Sequence, residues 1–512
     1  MMKLLACLAL LTAWCSAGAA QPSASGTRPN IIVILLDDMG FSDIGCYGGE
    51  IQTPNVDRLA SQGIRFTQFY NASKCEASRT AILSGLSWPR AGRGIVKGVT
   101  LGQAMRQAGY ATFAVGKWHV DGDPFHRGFD RSFGHLSGAT DYFRGDDTFR
   151  LDDQPYKIPD KGFYTTDANT DFAIQFLTEE RKKTPDKPFF LYLAYNAPHS
   201  PLQAPAEDVA KYRGKYLAGW DRIREERYQR QIALGVIKKE WPLSPRPSQV
   251  PPWDALTDRQ KQIEDGKMAT YAAMIDRVDQ NIGRLLDALR SLGVEDNTLI
   301  LFLSDNGGNP FDQGDEAGEA YGVPWANVSN TPFRYYKRNQ HEGGISTPLI
   351  ACWPAIIKDG GTITDQPGDI VDIMATVLDA AGGRYPTTFE DKPVPPMDGL
   401  SLLPILTGGR RPAHDALFFQ QFDHRGVRQG DWKLAAVNGG PWELYRLDKD
   451  RTELHDLASA QPDKVKELDS LWNQWWETTN GKPYVPNTKT GRKVQYRGEL
   501  RNPTPAALPE NP

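Results

Sequence analysis

Two adjacent carboxylates, Asp37 and Asp38, end an apolar run at Asn30–Leu36. A second oxygen-rich pair, Asp305-Asn306, follows another run at Thr298–Leu303. Oxygen donors with no His or Cys beside them suit a hard cation, Ca2+ or Mg2+, over Zn2+ or Cu2+. A divalent cation also relieves the repulsion between neighbouring carboxylates. Two further apolar runs end in cationic or imidazole groups. Ala111–Val115 leads into Gly116-Lys117-Trp118-His119, and Pro188–Tyr195 leads into Asn196-Ala197-Pro198-His199. A cation and an imidazole can hold an anion and move protons. The plain structural alternative is that each of these is a turn, because Asp, Asn and Gly favour turns for local reasons. Four strand ends of this kind point instead to one place, since ligands of open α/β sheets bind beyond the carboxyl ends of the strands.

Cys75 lies in the stretch Asn71–Gly85, N-A-S-K-C-E-A-S-R-T-A-I-L-S-G. Ser78 or a neighbour is expected to cap a short helix that runs through Leu83. That places the thiol at a helix N-terminus, where backbone amides favour anions, with Arg79 as a bidentate anion clamp. Cys75 is therefore a nucleophile candidate, and a buried free thiol is the alternative. The other cysteines are Cys7, Cys15, Cys46 and Cys352. Cys7 and Cys15 leave with the N-terminal signal described below, so three remain. That is an odd number for an exported chain, which leaves open one disulfide with a spare, three free thiols, or one cysteine with a chemical task. The histidines other than His119 and His199 fall in loops or in the C-terminal region and are expected to be solvated or hydrogen-bonded.

The elements that position these groups alternate between strand and helix. Asn30–Leu36 is β-branched and apolar without alternation, the pattern of a strand buried on both faces. Thr53-Pro54 opens a helix closed by Gly63, Ile64–Phe69 is a strand, and Thr100–Ala108 is a capped helix. An amphipathic helix is expected from about Lys267 to Arg290, a buried strand at Pro348–Cys352 and a helix at Ile370–Ala380. The polar stretch 201–265, with Trp220, Trp241 and Trp253, is expected to be an insertion or lid. It and Asp312–Arg338 are expected to shape the mouth of the pocket. Beyond Gly409 the texture changes to short antiparallel strands at Leu417–Gln421, Val427–Val437 and Trp442–Leu447. A last helix follows, whose Trp472, Trp475 and Trp476 are expected to join this appendage to the main domain. The expected fold is α/β: a large mixed, mostly parallel sheet sandwiched by helices, with a small C-terminal α+β domain carrying an antiparallel sheet.

The 512 residues carry 59 basic and 63 acidic side chains and a net charge of −4. That balance supplies no field for nucleic acid. Lys3, the apolar run Leu4–Trp14 and the small residues Ser16–Ala20 have the form of a signal peptide over residues 1–20. No later run is long enough to span a bilayer. A protein without a membrane span in its mature form, periplasmic or secreted and of bacterial type, is expected. The sequons at Asn71 and Asn327 then carry no meaning. The expected division is a signal at 1–20, a catalytic domain at 21–408, an α+β subdomain at 409–483 and an extended tail at 484–512.

Several motifs occur in order: L-L-D-D-M-G-F-S-D-I-G-C-Y-G (Leu35–Gly48), T-P-N-V-D-R-L-A (Thr53–Ala60), C-E-A-S-R (Cys75–Arg79) with L-S-G (Leu83–Gly85), and G-K-W-H (Gly116–His119). They continue with A-P-H (Ala197–His199), S-D-N-G-G (Ser304–Gly308), K-R-N-Q-H-E-G-G-I-S-T-P (Lys337–Pro348) and G-D-W-K-L (Gly430–Leu434). Together they resemble the type I, formylglycine-dependent sulfatases of the alkaline-phosphatase superfamily, in their arylsulfatase-like branch. The resemblance spans about residues 30–478.

That resemblance implies a hydrolase of aryl or carbohydrate sulfate esters. A separate maturation enzyme would oxidise Cys75 to formylglycine before or during export. One hydroxyl of the hydrated aldehyde would attack sulfur, and the other would expel sulfate. Asp37, Asp38, Asp305 and Asn306, with the modified Cys75, would bind one Ca2+. Arg79 and Lys117 would orient the formylglycine, and His119 would be the base. His199 and Lys337 would hold sulfate and assist the leaving oxygen. Ala77 stands where the family usually has proline, which makes maturation a matter of the host. The alternatives are a phosphomonoester or phosphonate hydrolase of the same superfamily, and a non-catalytic relative that binds sulfated ligands.

Overall fold

A computed structural model describes residues 28–92, 94–311 and 320–486. Its main sheet contains β1 (Asn30–Leu36), β2 (Ile64–Tyr70), β3 (Ala111–Gly116), β4 (Arg131–His135), β5 (Phe149–Leu151), β6 (Gln154–Pro155), β7 (Phe189–Ala194), β8 (Thr298–Ser304), β9 (Ser346–Cys352), β10 (Thr362–Thr364) and β11 (Gly368–Asp369). The strand order is β10-β2-β9-β8-β1-β7-β3-β4-β5-β6, with β11 also paired to β2. The centre, β8-β1-β7-β3, is parallel. The strand expected at Pro348–Cys352 is β9, which runs antiparallel to both β2 and β8. The sheet is thus mixed and mostly parallel, as expected.

The unbroken hydrophobicity of β1 follows from what covers it. Ile32, Ile34 and Leu36 join a core with Tyr271, Ile275, Val278 and Ile282 of the helix Asp258–Ser291. Ile31, Val33 and Leu35 face the opposite core, with Ile82 and Leu83 of the helix Cys75–Ser84 and Ile373 and Val377 of Asp372–Ala380. Side chains alternate across a strand, so a strand covered on both faces has no polar side.

A two-stranded hairpin, β12 (Thr388–Phe389) and β13 (Lys392–Pro393), precedes the C-terminal sheet. That sheet has the order β14 (Leu417–Gln421), β15 (His424–Gln429), β16 (Trp432–Ala436) and β17 (Glu443–Arg446), all antiparallel. The helix Pro462–Asn480 packs on it through Leu468 and Trp472, against Val427, Leu434 and Leu444.

Several expectations need correction. The run Val427–Val437 is two strands, because Gly430 turns the chain with φ +58°. The long helix begins at Asp258, nine residues early, where Thr257 and Gln260 form a capping box. The stretch 201–265 is no open lid. It contains the helix Trp220–Ala233, and Trp220, Trp241 and Trp253 are buried. Trp220 meets Trp253 edge to face at 4.7 Å and Trp325 at 5.8 Å, so these rings are packing residues. Trp472 belongs to the core of the C-terminal unit. Trp475 stacks on Phe418 within that unit at 4.9 Å. The seam with the larger unit is both apolar and ionic: Tyr70 and Ile345 pack against Leu417 and Phe419, with the Tyr70 and Phe419 rings 5.6 Å apart, and Trp475 lines a cavity together with Trp88 and Pro89 of the larger unit. Lys433 Nζ lies 2.8 Å from both Glu342 and Glu453, and Arg451 Nε lies 2.9 Å from Glu342, all buried.

His135 ends β4 rather than sitting in a loop, and it is buried. Cys46, Cys75 and Cys352 are free and buried. Asn71 and Asn327, the two sequon asparagines, are also buried. The expected signal and most of the expected tail lie outside the described residues, as do 312–319. Among the described residues no helix is long and apolar enough to cross a membrane.

Candidate active site

Strand register assembles the site. Leu36 pairs with Ser304, and Leu35 and Gly116 both pair with Ala194. The residues that follow β1, β8, β3 and β7 therefore leave the sheet along one edge. Backbone bonds hold them there. The Asp305 amide donates to Leu36 O at 3.0 Å, the Asp37 amide to Ala197 O at 3.1 Å, and the Lys117 amide to Ala194 O at 2.8 Å. Gly116 makes its exit at φ +101°, and a side chain there would strike Ala194 O at 2.0 Å. Gly307 and Gly343, the latter in the short helix Glu342–Ile345, approach so closely that a Cβ on Gly307 would sit 2.0 Å from Gly343 O. This contact brings the Lys337–Gly344 segment onto the strand ends.

Cys75 is the first residue of the helix Cys75–Ser84 and is buried. Its position agrees with the sequence; the cap does not. Lys74 is the N-cap residue and makes no side-chain capping bond. Ser78 instead accepts from the Ala72 amide at 3.0 Å and donates to Asp305 O, tying the cysteine turn to the end of β8.

Arg79 donates from Nε to Asp305 Oδ2 at 3.0 Å and from Nη1 to Lys117 O at 2.7 Å, and its Nη2 lies 3.5 Å from Asp37 Oδ2. Lys117 Nζ is paired with Asp37 Oδ2. Lys337 Nζ donates to Asp38 Oδ1 at 2.6 Å. Asn306 Nδ2 also donates to Asp38 Oδ1 at 2.6 Å. His199 Nε2 lies 3.6 Å from Asp38 Oδ2, and its Nδ1 lies 2.6 Å from Ser200 O. A carbonyl only accepts, so Nδ1 carries a proton and Nε2 faces the site. Asp37, Asp38, Arg79, Lys117, His199, Asp305, Asn306 and Lys337 thus meet at this edge of the sheet, and His119 lies two residues beyond Lys117.

The fit to a cation rests on oxygen atoms that lack protein partners. Asp37 Oδ1 and Asn306 Oδ1 are buried and accept no hydrogen bond, although the Asn306 amide nitrogen is fully used. Ligand atoms of Asp37, Cys75 and Asp305 lie within 4.8 Å of one another, as do those of Asp37, Asp38 and His199. Buried polar atoms in native proteins are satisfied. Orphaned oxygens among clustered carboxylates therefore suit a hard divalent ion.

The charges agree with this picture. Burial would raise Asp37 and Asp38, but Lys117 and His199 outweigh it at Asp37, and Lys337 and His199 at Asp38, so both lie below the usual carboxylate range. At Asp305, burial and then the charge of Asp37 win, and its pKa is well above that range despite Arg79. Three carboxylates this close cannot all ionise against lysine and arginine alone. Burial also opposes ionisation of Cys75, yet Lys117 and Lys337 bring the thiol below its ordinary value. Burial, then Lys117 and Arg79, hold His119 down to about 2, so its imidazole is neutral.

Asn309 was missed. Its Nδ2 donates to Asp38 Oδ2 at 3.0 Å, and its own amide donates to the Tyr321 hydroxyl at 3.0 Å. The signal was present four residues after Asp305, in a glycine-rich run of oxygen-bearing residues. Tyr321, packed against Tyr271 at 4.4 Å, has no local signature.

An α/β sheet edge that gathers a thiol, two lysines, an arginine and a seat of carboxylates is built for displacement at an anionic ester. The comparisons agree. A family profile described as "Sulfatase" matches residues 29–383, and one described as "N-sulphoglucosamine sulphohydrolase, C-terminal" matches residues 333–479. The arylsulfatase of Klebsiella aerogenes is 34% identical over 75% of this chain and 93% of its own. The N-acetylglucosamine-6-O-sulfatase of Bacteroides thetaiotaomicron is 31% identical over 96% of this chain and 93% of its own. A solved protein in complex with its substrate D-glucosamine-2-N,6-O-disulfate superposes with a TM-score of 0.64 at 26% identity, covering 89% of this chain and 98% of that one. The chain belongs to the sulfatase family, enzymes that hydrolyse sulfate esters.

Proposed function

We propose that this chain removes O-sulfate from a carbohydrate or aryl substrate after export, with Cys75 matured to formylglycine and Ca2+ as the bound ion. The observation that carries this is the convergence of Cys75, Asp37 and Asp305 within 4.8 Å, spanned by Arg79. The named relatives act on aryl sulfates and amino-sugar sulfates, which supports a sulfated carbohydrate as substrate.

The matured Cys75 supplies a hydroxyl nucleophile at the helix N-terminus. Asp37, Asp38, Asp305 and Asn306 would hold Ca2+, which would supply Lewis-acid charge to the site. Arg79 and Lys117 fix the nucleophile's orientation from one side. Lys337 and His199 face the site from the other, where the Lys337 ammonium is placed to hold a sulfate oxygen and to protonate the departing alcohol. His119, neutral at working pH, takes the proton whose removal releases sulfate.

The same reading assigns residues 1–20 to an export signal, 21–408 to the catalytic domain, 409–483 to the subdomain and 484–512 to a tail. It requires a formylglycine-generating enzyme that accepts Ala77.

Mass spectrometry of the peptide spanning Cys75, from protein exported by its host, tests the reading. An aldehyde in place of the thiol is expected, together with turnover of 4-nitrophenyl sulfate in clear excess over 4-nitrophenyl phosphate. An intact thiol with binding of sulfated sugar and no turnover would leave the non-catalytic alternative. Preferred turnover of the phosphate would leave the phosphatase alternative.

A further inference from the structure

We infer that Glu443 of the C-terminal unit is a positioning residue for Lys337, acting through His341 and the ring of Tyr335. Lys337 lies between two residues in the left-handed region, Tyr335 at φ +65° and Arg338 at φ +79°. Neither is glycine, so the turn that presents the Lys337 ammonium to Asp38 is strained. Such a turn persists only where its surroundings hold it.

Backbone bonds hold the far side of this turn. The Arg338 amide donates to Ser73 O at 2.7 Å, and the Lys337 amide to Gly308 O at 3.2 Å. The Tyr335 side depends on side chains. Asn330 Nδ2 donates to Tyr335 O at 3.1 Å. The Tyr335 ring packs on the His341 ring, with centroids 4.4 Å apart, and the guanidinium carbon of Arg334 lies 4.8 Å from its centroid.

Both of these neighbours are anchored by the C-terminal unit. Arg334 Nη1 donates to the Tyr445 hydroxyl at 3.2 Å and to Glu453 O at 2.6 Å. His341 Nε2 lies 3.0 Å from Glu443 Oε2 on β17. Burial opposes the charge on Glu443, yet the hydrogen bond from His341 outweighs it and holds the carboxyl down to about 2. An ionised carboxylate only accepts, so Nε2 carries the proton of this bond. His341 is buried, and its Nδ1 has no partner among the described residues, so the bond to Glu443 is what orients the ring. A lysine is a point charge on a flexible stem, and a shift of about 1 Å at a reacting group is enough to lower a rate. The clamp on Tyr335 fixes where that stem begins.

Because the inference rests on the sulfatase reading and on the role given there to Lys337, one arm of the experiment works without turnover. The full chain is treated briefly with acetic anhydride, and peptide mass spectrometry compares acetylation of Lys337 with that of Lys117. Both lysines are buried and paired with carboxylates, and Lys117 lies outside the clamp. Tyr335→Gly removes the ring while accepting the left-handed conformation without strain, and Glu443→Ala removes the anchor. Each is expected to raise Lys337 labelling at least about tenfold and to leave Lys117 unchanged. Tyr335→Phe and Glu443→Gln keep the ring and the acceptor, and should stay within about twofold of the unaltered protein. No rise at Lys337, or an equal rise at both lysines, overturns the assignment.

The second arm compares kcat/KM for 4-nitrophenyl sulfate and phenyl sulfate. Phenolate is the poorer leaving group and needs the Lys337 proton more. Tyr335→Gly and Glu443→Ala should therefore widen the ratio of the two rates by about tenfold, in the direction that Lys337→Met widens it further. Loss of folded protein lowers both rates alike, so an unchanged ratio overturns the assignment. If the unaltered protein turns over neither ester, the catalytic reading fails, and the labelling arm still judges the clamp.

Discussion

Arg79 and Asp305 meet at 3.0 Å through Nε and Oδ2, with neither side chain reaching solvent. The arginine comes from the helix that begins with Cys75, and the aspartate from the end of β8. This contact, with the Arg79 bond to Lys117 O, locks the cysteine turn to two strand ends. Lysine retains the charge but cannot make both bonds. Arg79→Lys is expected to lower kcat/KM for 4-nitrophenyl sulfate by about 10²-fold, with the melting temperature changed far less. Full activity in this variant would show that charge alone matters.

The orphaned oxygens of Asp37 and Asn306 predict a stabilising ion. Ca2+ at about 100 times its Kd should stabilise the fold by about 2.7 kcal/mol relative to protein stripped with EGTA. Scanning calorimetry should show the shift in the unaltered protein, with a smaller one for Mg2+. It should be absent in Asp305→Ala. A Ca2+ shift of unchanged size in that variant would place the ion elsewhere.

The burial of His119 beside Lys117 and Arg79 predicts its kinetic behaviour. With its pKa held down to about 2, the imidazole stays neutral from mildly acidic pH upward. His119→Gln should reduce kcat by about 10²–10⁴-fold. It should leave the acid limb of the pH–rate profile where it was. Loss of that limb would mean that His119 titrates in the working range.

Asp369 predicts a pH-dependent stability at the seam between the units. Burial and the neighbouring Asp372 push its pKa up to about 7, against about 3.9 in an unfolded chain. Because the folded value is the higher one, the folded state binds the proton more tightly. The contribution of this group is therefore fully present below about pH 4 and is lost as the pH rises through about 7. Asp369→Asn should match the unaltered protein near pH 4. At pH 8 it should be more stable by about 1–2 kcal/mol, less than the full shift implies because the side chain is partly exposed. Equal denaturation midpoints at both pH values would refute this.

Lys433 predicts the strength of the ionic seam. Its ammonium lies 2.8 Å from both Glu342 and Glu453, all three fully buried. Lys433→Met leaves the buried carboxylates of Glu342 and Glu453 without their shared ammonium and should cost about 3–5 kcal/mol by chemical denaturation. A cost below about 1 kcal/mol would mark the network as solvated.

Much of this was legible beforehand because it is local. β1 appears at its expected bounds, since a run of apolar, β-branched residues has one compact fate between two helical layers. Thr100 caps the helix it was expected to open, in a capping box with Gln103. The candidate metal-seat residues could be named because hard cations take oxygen ligands whatever the fold. Asn309 was not legible, because it matters through Asp38, which is far away in sequence. The tryptophans of 201–265 were ambiguous for the same reason. An aromatic ring serves a core and a pocket wall equally well, and its neighbours decide which.

The sequence by itself determined the chemistry available: oxygen ligands at two strand ends, a cysteine at a helix start, lysines and imidazoles at others, and ordered motifs that identify the family. Those are properties of residue types and short spacings. Only the tertiary structure decided which lone pairs remain unsatisfied, that Arg79 bridges Asp37 and Asp305, and that Glu443 of the C-terminal unit reaches His341. Each depends on strand register and on the docking of distant segments. A single residue of slip along β1 or β8 would turn these side chains to the opposite face of the sheet.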